Sequence, residues 1–114
     1  MISFACKPIE LSEIFQCGYG ISRTEYKVLD FLMLQGKMLS VKEIASKLRK
    51  ERTTIQKSIK ALVDKKLVKR KQMNLSSGGY VYTYGVEDKE KIKKELSGML
   101  KSWSESVAFA INAL

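Results

Sequence analysis

Arg52, Thr53, Thr54, Gln56, Lys57 and Lys60 crowd nine consecutive residues with donors, acceptors and positive charge. At 100° per residue, Thr53, Lys57, Lys60 and Asp64 lie opposite Ile55, Ile59 and Leu62, with Thr54 and Gln56 flanking and Arg52 at the start. A guanidinium or an amide can bond two atoms of a planar base edge at once, and a threonine methyl can touch a thymine methyl. Lysine adds mainly point charge, which suits phosphate. Farther along, Lys69-Arg70-Lys71 forms a basic run, followed by the small polar Ser76 and Ser77. Ser40 and Lys42 precede the first group by about one helix. These are the residues expected to meet a nucleic acid.

Charge supports that expectation. The chain of 114 residues has 21 basic and 12 acidic groups, a net of +9. Residues 37–71 hold thirteen basic and three acidic groups, a net of +10, whereas residues 1–36 sum to −1 and residues 72–114 to 0. A lysine-rich solvated surface would balance lysine with glutamate along the whole chain. Excess confined to one third of it points to a polyanion-binding face.

Other chemistries lack their parts. The chain has no histidine, the commonest general base and a common metal ligand. No nucleophile elbow, phosphate-binding glycine loop or carboxylate pair is present, so no catalytic residue is expected and the chain is read as a non-enzyme. Cys6 and Cys17 lack CxxC spacing and are expected to be reduced, packed thiols without a redox role. No metal and no cofactor is expected. No segment reaches the roughly 18 apolar residues of a membrane span, and no secretory leader is recognisable. A cytoplasmic location and no membrane partner are therefore expected.

Local signals assign the elements that would position these groups. Residues 8–17 suit a short amphipathic helix with Ile9, Leu11, Ile14 and Phe15 apolar, broken by Gly18-Tyr19-Gly20. Ser22-Arg23-Thr24-Glu25 is a capping box opening a helix to about Gln35, with Gly36 just past its end. A second capping box, Ser40-Val41-Lys42-Glu43, opens a short helix with Val41, Ile44, Ala45 and Leu48 inward. Three residues, Arg49-Lys50-Glu51, lead to a third helix over about 53–66, with Ile55, Ile59, Leu62 and Val63 as its buried stripe. Two short helices joined by so short a turn make a helix-turn-helix.

After Lys66 the period becomes two. Leu67–Met73 and Tyr80–Val86 read as strands, and Asn74–Gly79 joins them with two glycines to supply positive φ. A hairpin following the third helix is a wing. Tyr80, Tyr82 and Tyr84 share one face of it; such a face either packs on helices or serves as a base-stacking platform, and packing is expected here. Residues 88–114 are expected to form a long helix with Ile92, Leu96, Met99, Trp103, Val107, Ile111 and Leu114 recurring at steps of three or four. That stripe either folds back onto the first helix or pairs with a second copy. A 27-residue helix spans roughly 40 Å, longer than a compact winged helix covers. Hence Ile92, Leu96, Met99, Leu100, Trp103, Val107 and Ile111 are expected at a homodimer interface.

The expected architecture is one domain over residues 1–114, mainly α with a small β-hairpin (α+β). An N-terminal helix at 8–17 precedes a winged helix-turn-helix at 22–86 and a dimerisation helix at 88–114. Ser22–Val28, Ser40–Ala45, Arg52–Lys57, Leu67–Arg70 and Ser77–Tyr82 together resemble small archaeal winged-helix regulators of the TrmB-like and MarR-like kind. The resemblance spans roughly residues 20–112. It implies a homodimeric regulator of transcription on double-stranded DNA, with the third helix in the major groove and hairpin 67–86 on the backbone. Two features depart from the pattern: Arg49 stands where such turns often have glycine, and the C-terminal sugar-binding domain of many TrmB-like proteins has no counterpart. Any small-molecule effector is unspecified. The rival reading is a winged-helix module for protein or RNA without sequence-specific DNA binding.

Overall fold

The structure is a computed structural model and describes residues 2–3 and 5–114. The chain divides into two compact units, residues 21–87 and residues 1–20 with 88–114.

The first unit is built on three helices and a small sheet. Helix α2 (Arg23–Gln35) follows α1 (Leu11–Tyr19) in the chain and opens on the expected capping box. The Ser22 hydroxyl accepts from Glu25 N–H at 3.1 Å, and the Glu25 carboxylate accepts from Ser22 N–H at 2.9 Å. Gly36 ends the helix at φ 63°, a conformation that costs glycine nothing. Strand β3 (Leu39–Ser40) leads directly into α3 (Val41–Leu48), whose capping box repeats the same geometry. Helix α4 (Arg52–Asp64) buries Ile55, Ser58, Ile59 and Leu62. Ser58, which the apolar stripe did not include, faces inward, whereas Val63, which it did, is half-buried. Helices α2, α3 and α4 pack together, and Val28, Leu29, Leu32, Ile44, Ile55, Leu62 and Leu67 are nearly or wholly excluded from solvent.

Helix α4 stops two residues before the expected Lys66. Lys66 has φ 61°, and Leu67 N–H returns to Leu62 C=O at 3.0 Å, so the helix closes in a left-handed turn. Strands β4 (Val68–Asn74) and β5 (Tyr80–Val86) then pair antiparallel from Val68↔Val86 to Asn74↔Tyr80. Strand β3 adds to the other edge of β5 through Leu39↔Tyr84, giving the order β3-β5-β4. This is the winged-helix arrangement.

The second unit holds β1 (Ile2–Ser3), β2 (Pro8–Ile9), α1 (Leu11–Tyr19) and α5 (Lys89–Asn112). The first helix lies three residues later than periodicity suggested, because Pro8 and Ile9 pair with Ser3 and Ile2. It runs through Gly18 and Tyr19 and ends at Gly20, at φ 67°. Gly18 marks a close approach: a Cβ there would stand 3.2 Å from Met99 Sδ and 3.6 Å from Leu96 Cδ2, so the Met99 side chain would have to shift slightly. The Tyr19 hydroxyl donates to Glu95 Oε2 at 3.1 Å. Burial first, then that hydrogen bond and the Glu95 charge, push the Tyr19 pKa up to about 12.

Candidate nucleic-acid interface

Helix α4 presents its polar residues as its sequence period requires. Burying Ile55, Ile59 and Leu62 turns Arg52, Thr53, Gln56, Lys57 and Lys60 to solvent, while Thr54 is half-buried. Lys69, Arg70, Lys71, Ser76 and Ser77 are exposed on the hairpin, and Lys42 is exposed in the first turn of α3. Ser40 is different. Its hydroxyl accepts from Glu43 N–H at 3.2 Å, so it is committed to the cap. Two hydrogen bonds from Ser40, backbone first, hold the Glu43 carboxyl below the usual carboxylate range, with Lys37 and Lys47 adding to the effect.

The positive charge is largely unspent within the chain. Among the described residues, the ion pairs are Lys7–Glu13 and Lys93–Glu90, each at 3.1 Å. No described carboxylate stands within ion-pair distance of a basic group in residues 37–71. The turn that sets α3 against α4 depends on Arg49, which takes φ 54° and ψ 46° in place of a glycine. Arg49 N–H reaches Ser46 C=O at 3.3 Å and Lys50 N–H reaches Ala45 C=O at 3.0 Å, so the end of α3 is satisfied.

Alternation along the hairpin divides the basic run. Arg70 lies on the face of Val68, Gln72 and the three tyrosines, whereas Lys69 and Lys71 lie on the other. The Arg70 guanidinium rests 4.2 Å from the centre of the Tyr82 ring, and Tyr80 meets Tyr82 edge-on at 5.4 Å. Packing of the tyrosine face holds only near its base: Tyr82 and Tyr84 are half-buried, but Tyr80 is 57% exposed. Tyr82 as a support for Arg70 was missed because the stack joins diagonal neighbours in an unknown strand register. The tip has the expected glycines, Gly78 at φ 97° and Gly79 at φ 78°.

The residues expected at a dimer interface divide in two. Ile92 is buried, and Leu96 and Met99 are half-buried beside Gly18 of α1. This first half of α5 folds back on α1. The second half leaves Leu100, Trp103, Val107 and Ile111 exposed, together with Phe109 and Leu114. Phe109 lies off the three-four stripe, which is why its 78% exposure had no sequence signal. Beside this boundary is an open cavity of about 560 Å³ lined by Ile9, Ile14, Cys17, Met99, Leu100 and Trp103, among others. Both cysteines are free and exposed rather than packed. Among the described residues, no three metal-binding side chains form a group, and no helix is long and apolar enough to cross a membrane.

Residues 19–72 match the model of the MarR family. An uncharacterised protein of Methanocaldococcus jannaschii is 28% identical over 107 residues, covering 94% of this chain and 80% of the relative. A solved structure from Methanosarcina mazei Go1, described as a possible transcriptional regulator, is 25% identical with a TM-score of 0.84, covering 99% of this chain and 95% of that one. A Staphylococcus aureus MepR variant, solved bound to an oligodeoxyribonucleotide, shares the fold at 18% identity and a TM-score of 0.53, over 90% of this chain and 76% of that one. The capped helix pair, the left-handed turn at Arg49 and the three-stranded wing sheet thus give this chain the winged-helix fold of the MarR-type proteins that it resembles.

Proposed function

We propose that the protein is a sequence-specific, double-stranded DNA-binding regulator of transcription that acts as a homodimer in the cytoplasm. Helix α4 enters the major groove, where Gln56, Lys57, Arg52 and Thr53 reach base edges. The hairpin lies on the sugar-phosphate backbone, with Lys69, Arg70 and Lys71 supplying charge. Lys42 and Lys60 meet flanking phosphates, and Ser40 contributes by capping α3. The observation that carries this reading is the outward face of α4, polar and basic with no described carboxylate paired to it. The DNA-bound MepR variant supports the same use of the fold.

The exposed second half of α5 supports the homodimer. Trp103, Val107 and Ile111 are 60%, 37% and 59% exposed, and a stripe of large apolar side chains facing water marks an interaction surface. In the dimer they cover one another and the open apolar cavity beside Met99 and Leu100. Selection from random duplexes, followed by titration on selected duplex, scrambled duplex, duplex RNA and single strands, tests the reading. The selected DNA duplex is expected to bind roughly 10³-fold or more tightly than the scrambled one. Equal affinity for all four would remove sequence-specific DNA recognition.

A further inference from the structure

The wing carries exposed apolar side chains that backbone charge contacts leave unused. Leu75, Met73 and Val81 are 48%, 44% and 37% exposed. Met73 and Val81 are directly opposed in the β4–β5 register, and Leu75 continues the same alternation beyond Asn74. The three make one apolar strip at the end of the hairpin, on the face that carries Lys69 and Lys71 nearer its base. The tip is held in shape. Leu75 N–H donates to Gly79 C=O at 3.0 Å, and Gly78 N–H donates to Leu75 C=O at 3.1 Å. Below it, the Thr83 hydroxyl donates to Lys71 C=O at 3.2 Å.

Charge identifies what this tip meets. Residues 65–86 contain five basic groups and no acidic one. A cationic stem ending in a rigid apolar point suits a partner with anionic walls and an apolar interior reached between them. Duplex DNA has that construction, with phosphates along the groove and stacked bases at its floor. Leucine and methionine are among the side chains that wedge between base steps from the minor groove, unstacking them and bending the duplex.

We propose that the wing tip is an apolar wedge: Leu75, backed by Met73 and Val81, enters the minor groove beside the α4 site and bends the DNA. The proposal rests on the duplex-DNA reading above and adds a deformation activity to it. Leu75 is the leading residue, and Lys69 and Lys71 grip the phosphates on either side. Specificity then extends to base pairs that no side chain reads directly, because flexible pyrimidine–purine steps unstack at least cost.

The experiment uses the full chain and a duplex of roughly 30 base pairs with a donor and an acceptor dye at its ends. Polarisation reports binding, energy transfer reports the bend, and sedimentation reports the oligomer. Binding of the unsubstituted chain is expected to raise energy transfer. The variants Leu75→Ser and Leu75→Ser with Met73→Ser are expected to keep affinity within about fivefold, since the lost wedge contacts and the avoided unstacking offset each other. They are expected to lose most of the rise in energy transfer. All three side chains are exposed, so unchanged thermal melting is expected to verify folding. Binding without any bend in the unsubstituted chain overturns the wedge and leaves the DNA reading intact. So does a bend that survives both substitutions, or loss of self-association in place of bending, which would assign the tip to a second copy. Absence of binding to any duplex at low salt overturns both.

Discussion

The outward face of α4 and the second half of α5 are both solvent-exposed helix surfaces, and they are left incomplete in opposite ways. Arg52, Gln56, Lys57 and Lys60 offer charge and hydrogen-bonding groups without a carboxylate partner. Trp103, Val107, Phe109 and Ile111 offer apolar area without a cover. Unpaired cations are well solvated, so the first surface is stable alone and gains by releasing counterions from a polyanion. Exposed aromatic and aliphatic groups are poorly solvated, so the second gains by meeting apolar area of its own kind. The difference predicts opposite responses to salt: contact through α4 weakens as salt rises, and contact through α5 persists.

The largest expected effect follows. If six to ten phosphates are neutralised per dimer, affinity for duplex DNA should fall by roughly 10³–10⁵ between 50 and 200 mM salt, while the sedimentation of the protein alone stays that of a dimer. A dimer that dissociates as salt rises would break the contrast, because charge would then be holding both contacts. Next in size is the loss of linkage between half-sites. Replacing Trp103 and Val107 together by glutamate should give a monomer whose affinity for a palindromic site is lower by about 10²–10⁴. Its winged helix should still melt cooperatively, since both residues are exposed. A dimer persisting in that variant would remove α5 from the interface.

Smaller effects separate the parts of the basic surface. Gln56→Ala should cost about 1–3 kcal/mol on the selected site and little on scrambled DNA, because a neutral amide releases no counterion. Arg70→Ala should weaken both and lower the salt slope by about one unit. Equal losses on both duplexes for Gln56→Ala, with only a change of preference for Arg70→Ala, would reverse the roles of helix and wing.

The two surfaces also differ in how far the chain alone revealed them. The capping boxes at Ser22 and Ser40 are short-range signals with one geometric meaning, so the helix starts were legible to within a residue. The α4 face was legible for the same reason: Ile55, Ile59 and Leu62 fix which side is buried without reference to any other element. The two-residue strand at Leu39 was not legible, because a period of two cannot show in so few residues. Nor was the start of α1, where pairing of Pro8 and Ile9 with residues distant by several positions outweighs the apolar spacing. The stripe on α5 was legible as apolar, but its division into a half folded on Gly18 and an exposed half depends on the length of α1. The Arg70–Tyr82 stack depends on register and was likewise hidden.

A test within the second unit concerns Tyr19. Its pKa, raised to about 12 by burial and by Glu95, lies above the ordinary 10.0. The neutral phenol is favoured by folding, so this contribution to stability is complete below pH 10 and is lost as pH rises toward 12. Tyr19→Phe should flatten the alkaline limb of the stability profile, read from denaturant midpoints, and leave DNA affinity at neutral pH unchanged. An unchanged alkaline limb would show that the Tyr19–Glu95 contact is not maintained in solution.

The smallest effect sharpens the contrast at the turn that holds α4 in place. Arg49 adopts a left-handed conformation that costs a residue with a Cβ about 1–2 kcal/mol. Glycine avoids that cost but loses more freedom on folding, by roughly 0.5–1 kcal/mol. Arg49→Gly should therefore change stability by no more than about 1.5 kcal/mol, in the stabilising direction. Arg49→Val, with a branched Cβ in the same conformation, should lose at least about 1 kcal/mol. The charge is a separate matter, because Arg49 is exposed in the most basic third of the chain. If it contacts phosphate, Arg49→Gly should raise the melting temperature slightly and lower the salt slope of DNA binding by about one unit. Arg49→Asn, which tolerates the left-handed region, should show the same change of slope. A stabilised variant with an unaltered slope would make Arg49 a geometric residue only and move the edge of the DNA-binding surface to Arg52.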